Sequence, residues 1–362
     1  MSRSTAVFVG VMLLLVTSTT GCGRESRDTN GGQPTQPPPA AALPKPEPEP
    51  EPPAPPPAQV RLVFAGDIML DRVPGQAVAQ GGDPFAAVAP LLQQSDVAIG
   101  NLECVIATVG QRVPKLYNFR CHPRNAPLLA RYFTALSVAN NHSGDFGKDA
   151  FAEQLGLLSN AELRYFGGGV NAAAAHTPLI IERNGIRLAL LAYNEVELRS
   201  YEAGADTPGL AWSDDARVAE DISAARAKAD LVIVYPHWGL EYHPLPSERQ
   251  QALARTMIDA GADLVVGGHP HVTQTVEYYR DRLILYSLGN FVFDDFNDVP
   301  PALNEPSRTS WLLRVTLTKS GLGQWDTVPV RTDDSGFPQP IRGAVSPCGN
   351  VETKEIATCK AE

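Results

Sequence analysis

Chemistry in this chain is suggested first by the segment Val265-Val266-Gly267-Gly268-His269-Pro270-His271-Val272, which sets two imidazoles two residues apart behind a pair of glycines. At that spacing in extended backbone both rings share one face, so both can address neighbouring metal ions. Alone, the pattern fits hydrogen-bonded loop histidines equally well. Four further segments supply companions: VFAGDIML carries Asp67, AIGNLE carries Glu103, SVANNHS carries Asn140, Asn141 and His142, and VYPHWGLEY carries His237 with Glu241 downstream. Carboxylates, one amide oxygen and imidazoles form a donor set for a divalent Zn, Mn or Fe ion, whereas Ca would prefer oxygen alone.

The elements that must position these groups are legible in the hydrophobic pattern. Short apolar runs (RLVFAG, DVAIGN, ALSVAN, DLVIVYPH, DLVVGGH) each end in Gly, Asn or His, and the candidate donors follow those ends. In open α/β sheets sites assemble at that edge. Between the runs lie helical patterns: PFAAVAPLLQQ, DAFAEQLGLLSN, DDARVAEDISAARAKA, and SERQQALARTMIDAG with Ser247 as N-cap and Gly261 as stop. Asn184-Gly185 between apolar stretches predicts a hairpin, TQTVEYYRDRLILYS predicts a second, and WLLRVTLT with QWDTVPV reads as closing strands. The expectation is an α/β domain with mixed sheets over 59–332, followed by a C-terminal tail over 333–362.

Upstream, Arg3, the apolar run AVFVGVMLLLV and an ending Thr19-Thr20-Gly21-Cys22 predict an export signal over 1–21. That ending resembles a lipoprotein cleavage box, which implies a lipidated Cys22 and membrane attachment at the cell envelope. Residues 22–58 are rich in Pro and Glu, a spacer composition spanning up to on the order of 100 Å at ~3.1 Å per residue. A formal charge of −10 over 362 residues argues against nucleic acid as a partner, since phosphate-backbone binding needs a basic stripe. Four cysteines remain in an exported chain, and short loop closure favours Cys104 with Cys121 and Cys348 with Cys359. His122, His176 and His243 read as structural or surface groups, Lys115 and Arg120 as surface cations, and Asn290 as a hydrogen-bonding partner of a loop near the site.

Taken in order, GDIM, NLE, ANNH, HWGLEY, GGHPH and SLGNF resemble the poly-γ-glutamate capsule-synthesis (CapA-type) family, a branch of the calcineurin-like metallophosphoesterases, from Arg61 to Phe293. The segment KLYNFRCHP is similar to the family's stretch between the second and third motifs. The resemblance implies a metallophosphatase-like layered α-β-β-α sandwich. It makes Asp67 a ligand of one metal, Glu103 a bridging carboxylate and Asn141 a ligand of the other metal. His237 and His269 then complete the second site, His271 returns to the first, His142 acts as general acid or transition-state stabiliser beside the leaving group, and Glu241 is a candidate ligand or base. Met69 stands where the superfamily carries a second histidine ligand, and Glu103 where it usually carries Asp; one metal is therefore expected and a second is open. The implied activity is metal-dependent hydrolysis of a phosphate-containing substrate or an anionic γ-glutamyl polymer, alongside other capsule-synthesis proteins. The alternative is a non-catalytic polymer-binding or export component.

Overall fold

The structure, a computed structural model, describes residues 58–294, 299, 301–350 and 353–361. The export signal, Cys22 and nearly all of the Pro/Glu-rich segment lie outside these residues. Among the described residues no helix is long and apolar enough to cross a membrane.

Two sheets face each other. In the first, the strand Gln59–Ile68 runs parallel to Val97–Leu102, which is followed outward by Ala135–Ser137 and Arg164–Phe166, and antiparallel to Thr309–Thr318 on its other side. The second sheet centres on Leu231–His237, parallel to both Ile186–Asn194 and Leu264–Val266, with hairpin partners Leu179–Arg183 and Val276–Tyr279 at its edges. The mixed sheets expected from the hairpin signals are present.

Period-two alternation explains the layering. Leu62 and Phe64 point between the sheets, where they share a core with Leu188, Leu190, Ile233, Tyr235 and Leu264 of the second sheet. Val63 and Ala65 point the other way, toward Leu92, Leu129 and the helix Gly147–Asn160 through Phe151, Leu155 and Leu158. On the far side, Val232 and Val234 meet Val218 and Ile222 of the helix Asp215–Arg226 and Leu253 and Met257 of Glu248–Asp259. The result is four layers, helix, sheet, sheet and helix. Burying each of these large apolar side chains contributes about 1.5–3 kcal/mol, and a strand buried on both faces needs the near-continuous apolar runs seen in the sequence.

Local signals are obeyed where they are strong. Asn184 and Gly185 adopt φ of 52° and 73°, the backbone a two-residue primed turn requires, and Ser247 with Gln250 closes a capping box. The helix read over PFAAVAPLLQQ is shorter than expected, Ala89–Gln93, because Pro90 fits only within the first helical turn and so fixes where the helix begins. The stretch expected as a tail carries strands: Pro338–Pro340 and Val345–Asn350 pair with Gly321–Thr332, and Glu355–Lys360 adds an edge strand. Cys348–Cys359 staples that terminal hairpin, and Cys104–Cys121 closes the loop directly after Glu103.

Candidate metal centre

The donors meet because register brings the strand ends level. Asp67 pairs with Asn101 on one side and with Asn290 on the other, so the three stand in a row across the first sheet. In the second sheet His237, the last residue of its strand, bridges to Gly268. Gly268 has to lack a side chain, since a Cβ there would come 2.7 Å from Oδ1 of Asp67. Beyond it, His269 and His271 both take positive φ, 95° and 59°, a conformation uncommon for non-glycine residues that aims both rings back at the first sheet.

All six expected ligands, Asp67, Glu103, Asn141, His237, His269 and His271, are buried and come together. Ligand atoms of Asp67, Glu103 and His237 lie within 4.8 Å of one another, as do those of Glu103, His269 and His271, so Glu103 belongs to both groups. His237 Nε2 lies 2.9 Å from Asn141 Oδ1, which adds the amide oxygen to the cluster. His271 Nδ1 lies 2.8 Å from Asn290 Oδ1; an amide oxygen only accepts, so Nδ1 carries the proton and Nε2 presents its lone pair toward Glu103.

The donors fit a divalent cation on three counts. Glu103 Oε1 is buried without a hydrogen-bond partner, and it stands 3.6 Å from His271 Nε2 and 3.8 Å from His237 Nε2. Those separations are long for hydrogen bonds and suit two ligands on one ion, which at ~2.1 Å bond lengths and a tetrahedral angle sit roughly 3.4 Å apart. His269 Nδ1 is likewise buried and unpartnered. Finally, the charge states are those of a site built for positive charge. Burial, and next the neighbouring Asp67 carboxylate, hold the Glu103 carboxyl well above its usual range. Burial, reinforced by the adjacent imidazoles, holds His237 and His269 well below theirs, so both stay neutral and able to coordinate.

His142 is buried beside the cluster, with its ring 4.3 Å from that of Phe119 and Nδ1 2.8 Å from Asp145 Oδ2. The carboxylate fixes the proton on Nδ1 and leaves Nε2 outside that pairing. Burial lowers the pKa of this imidazole, against the raising influence of Asp145. Glu241 lies on an exposed loop outside the buried cluster, and it reaches the centre as a negative charge that adds to the upward push on Glu103. Met69 is fully buried in the apolar layer, its Sδ 3.2 Å from the Asp71 amide, and donates nothing to the centre.

Three residues at the site escaped the sequence reading. Asn101 Nδ2 donates to Asp67 Oδ1 at 2.9 Å and lies 3.4 Å from Glu103 Oε2 and 3.3 Å from His237 Nδ1, the hub of the cluster. Its place between Gly100 and Glu103 at a strand end was the available signal. For Asp145 the signal was its spacing, three residues after His142 and within reach across a turn. Lys115, expected at the surface, has a side chain only 9% exposed and is paired with Asp145. Arg120 is a surface cation, stacked 4.3 Å over the Phe146 ring. His176 is structural, bonded to Asp221 at 2.6 Å, while His122 and His243 are exposed.

Comparison with known proteins agrees with the motif order. The PGA biosynthesis protein CapA of Bacillus subtilis (strain 168) is 33% identical over 77% of this chain and 73% of that protein. The capsule biosynthesis protein CapA of Bacillus anthracis is 32% identical over 79% of this chain and 71% of that protein. Among solved structures, the 5'-nucleotidase precursor of Thermus thermophilus is similar with a TM-score of 0.49 and 13% identity, over 78% of this chain and 56% of that one. The model of the bacterial capsule synthesis protein PGA_cap matches residues 61–295, from the first buried strand to just past the last of the six ordered motifs, and this chain belongs to that family.

Proposed function

We propose that this chain is an exported, envelope-anchored, metal-dependent hydrolase of capsule synthesis, acting on an anionic polymer such as poly-γ-glutamate or on a phosphate-containing substrate. The observation that carries the reading is the partnerless Glu103 Oε1 among buried donors, with the His142–Asp145 pair beside it. Divalent ions held there would polarise a phosphoryl or carbonyl oxygen and acidify the water that attacks it. Asp67, Glu103, Asn141, His237, His269 and His271 hold and orient those ions, and Asn101 keeps the first two carboxylates apart from His237. In its imidazolium form, which Asp145 stabilises through Nδ1–H, His142 gives the Nε2 proton to the leaving oxygen or nitrogen and returns to the neutral Nδ1–H ring. Lipid on Cys22 would fix the protein to the envelope, and the Pro/Glu-rich segment would carry the domain toward other capsule-synthesis proteins.

The test is the protein loaded with Mn, Zn or Fe, assayed on bis-p-nitrophenyl phosphate and on a γ-glutamyl amide. His142→Ala is expected to lose about 10²–10⁴-fold in turnover of the γ-glutamyl amide, whose leaving nitrogen needs a proton, and far less on bis-p-nitrophenyl phosphate, whose leaving group does not, while keeping its metal. A wild-type protein that holds metal and turns over neither substrate would refute catalysis.

One observation favours a second reading, a polymer-binding component without catalysis: the buried, non-ligating Met69 leaves the Asp67 side of the centre short of a donor. On that reading His142→Ala retains immobilised poly-γ-glutamate as well as wild type does. Membrane attachment is tested separately, by following Cys22→Ala between membrane and soluble fractions.

A further inference from the structure

Lys115 brings a full charge into a place where lysine is seldom found unless paired. Its ammonium lies 2.8 Å from Asp145 Oδ1 and donates to Glu197 Oε2 at 2.8 Å and to the Asn141 carbonyl at 2.9 Å. Two of its donors are used, on Glu197 and the Asn141 carbonyl, and the contact with Asp145 Oδ1 is an ion pair, so the charge is turned toward protein groups on every side. The contacts join three separate pieces of chain. Lys115 sits in the loop closed by Cys104–Cys121, Asn141 and Asp145 sit after Ala135–Ser137 of the first sheet, and Glu197 sits after Ile186–Asn194 of the second. Glu197 is held at φ 62°, a conformation few side chains adopt without an outside contact to hold them there. Asp145 in turn takes Lys115 on one oxygen, and on the other the Phe119 amide at 2.7 Å and His142 Nδ1 at 2.8 Å.

We propose that Lys115 is a positioning residue of the metal centre: one buried ammonium sets Asn141 through its carbonyl and His142 through Asp145, and ties the two sheets' halves of the site together through Glu197. The kinetic part rests on the hydrolase reading above; the metal-affinity part does not. A lysine that merely stabilised the fold would alter melting without altering how the folded protein holds its ion. Outer contacts that orient ligands, by contrast, are worth about 10–100-fold in metal affinity.

The experiment compares wild type, Lys115→Met, Asp145→Asn and the double variant Lys115→Met with Asp145→Asn, each shown folded by circular dichroism. The double variant removes both charges together and so avoids leaving a buried carboxylate uncompensated. By calorimetric titration with Mn or Zn, Asp145→Asn is expected to bind close to wild type and the double variant about 10–100-fold more weakly. In turnover, Lys115→Met is expected to lose at least about tenfold more on a methyl phosphodiester, whose leaving group needs a proton, than on bis-p-nitrophenyl phosphate, whose leaving group does not. Metal affinity of the double variant within about threefold of Asp145→Asn overturns the proposal. If wild type hydrolyses neither ester, the hydrolase reading fails and the affinity comparison alone decides the role of Lys115.

Discussion

Asn101→Asp separates a site built around a cation from a merely polar core. The substitution keeps size and shape but turns the Nδ2 donor into an oxygen, 2.9 Å from Asp67 Oδ1 and 3.4 Å from Glu103 Oε2. Without metal, the protein loses a hydrogen bond to a charged group, about 1.5–3 kcal/mol. It also gains a third carboxylate, whose repulsion at that distance is about 6 kcal/mol for full charges at an effective dielectric of ~20. Proton uptake by one of the three limits that repulsion, so a net cost of roughly 3–6 kcal/mol is expected. At ~2 °C per kcal/mol for a domain of this size, metal-free melting should fall by about 6–12 °C. With a divalent ion present the sign reverses, because the third carboxylate now faces positive charge, and the rise in melting on adding metal should exceed that of wild type. Differential scanning calorimetry with chelator and then with saturating Mn or Zn measures both. Metal-free melting within about 2 °C of wild type, or an equal metal-induced rise in the two proteins, would refute the placement of Asn101 in the charge frame of the ion.

Three further outcomes follow from the same geometry. Glu103 has its folded pKa raised, so in the metal-free protein it holds a proton at pH values above its usual 4.5, whereas His237 and His269, pushed down, hold none near neutrality. Metal uptake below the raised Glu103 titration should therefore expel a proton from Glu103 and none from His237 or His269, with affinity rising as pH rises through that titration; calorimetry in two buffers of different ionisation enthalpy reads this, and an unchanged count in Glu103→Gln would sink it. Gly268→Ala places a methyl 2.7 Å from Asp67 Oδ1, so that Asp67 must shift, and should weaken metal binding about 10–100-fold in protein that still folds; unaltered affinity speaks against the close approach. Replacing Cys104 and Cys121 together with Ala opens a loop of sequence separation 17 and should cost about 3 kcal/mol, seen as a lower melting temperature that reductant no longer shifts further at this bridge.

What could be read from sequence was what local physics decides. The Asn184-Gly185 turn forms because few other residue pairs reach that backbone easily, and the Ser247–Gln250 box because its partners are three residues apart. The apolar runs became strands buried on both faces, and the donors after them reached one edge, because a parallel strand ends where its layer ends. The C-terminal hairpin was missed for the opposite reason. Its strand Glu355–Lys360 is exposed throughout and carries no alternation, so only pairing with Val345–Asn350 and the Cys348–Cys359 bridge define it. The helix Arg72–Ala79 is not among the helical patterns named from sequence; it carries Pro74 and Gly75 near its start, where Pro is tolerated in a first turn.

The site residues divide along the same line, and the division explains which of them carry risk. Asp67 and His271 could be named because donors of unlike chemistry after strands are rare and belong to a recognisable order. Asn101, Asp145 and Lys115 could not, because nothing in an asparagine, an aspartate or a lysine distinguishes a hub from a solvated loop until register is known. Asn101 becomes a hub only when Asp67 stands opposite it, and Lys115 becomes buried only when the Cys104–Cys121 loop folds over the turn that carries Asp145. A charge whose meaning depends on three distant segments has no local signature. Its removal nevertheless has a large physical consequence, since a buried ion that loses its partner is left without water or counter-charge. The ligands decide which ion can bind; these three residues decide whether the ligands are where the ion needs them.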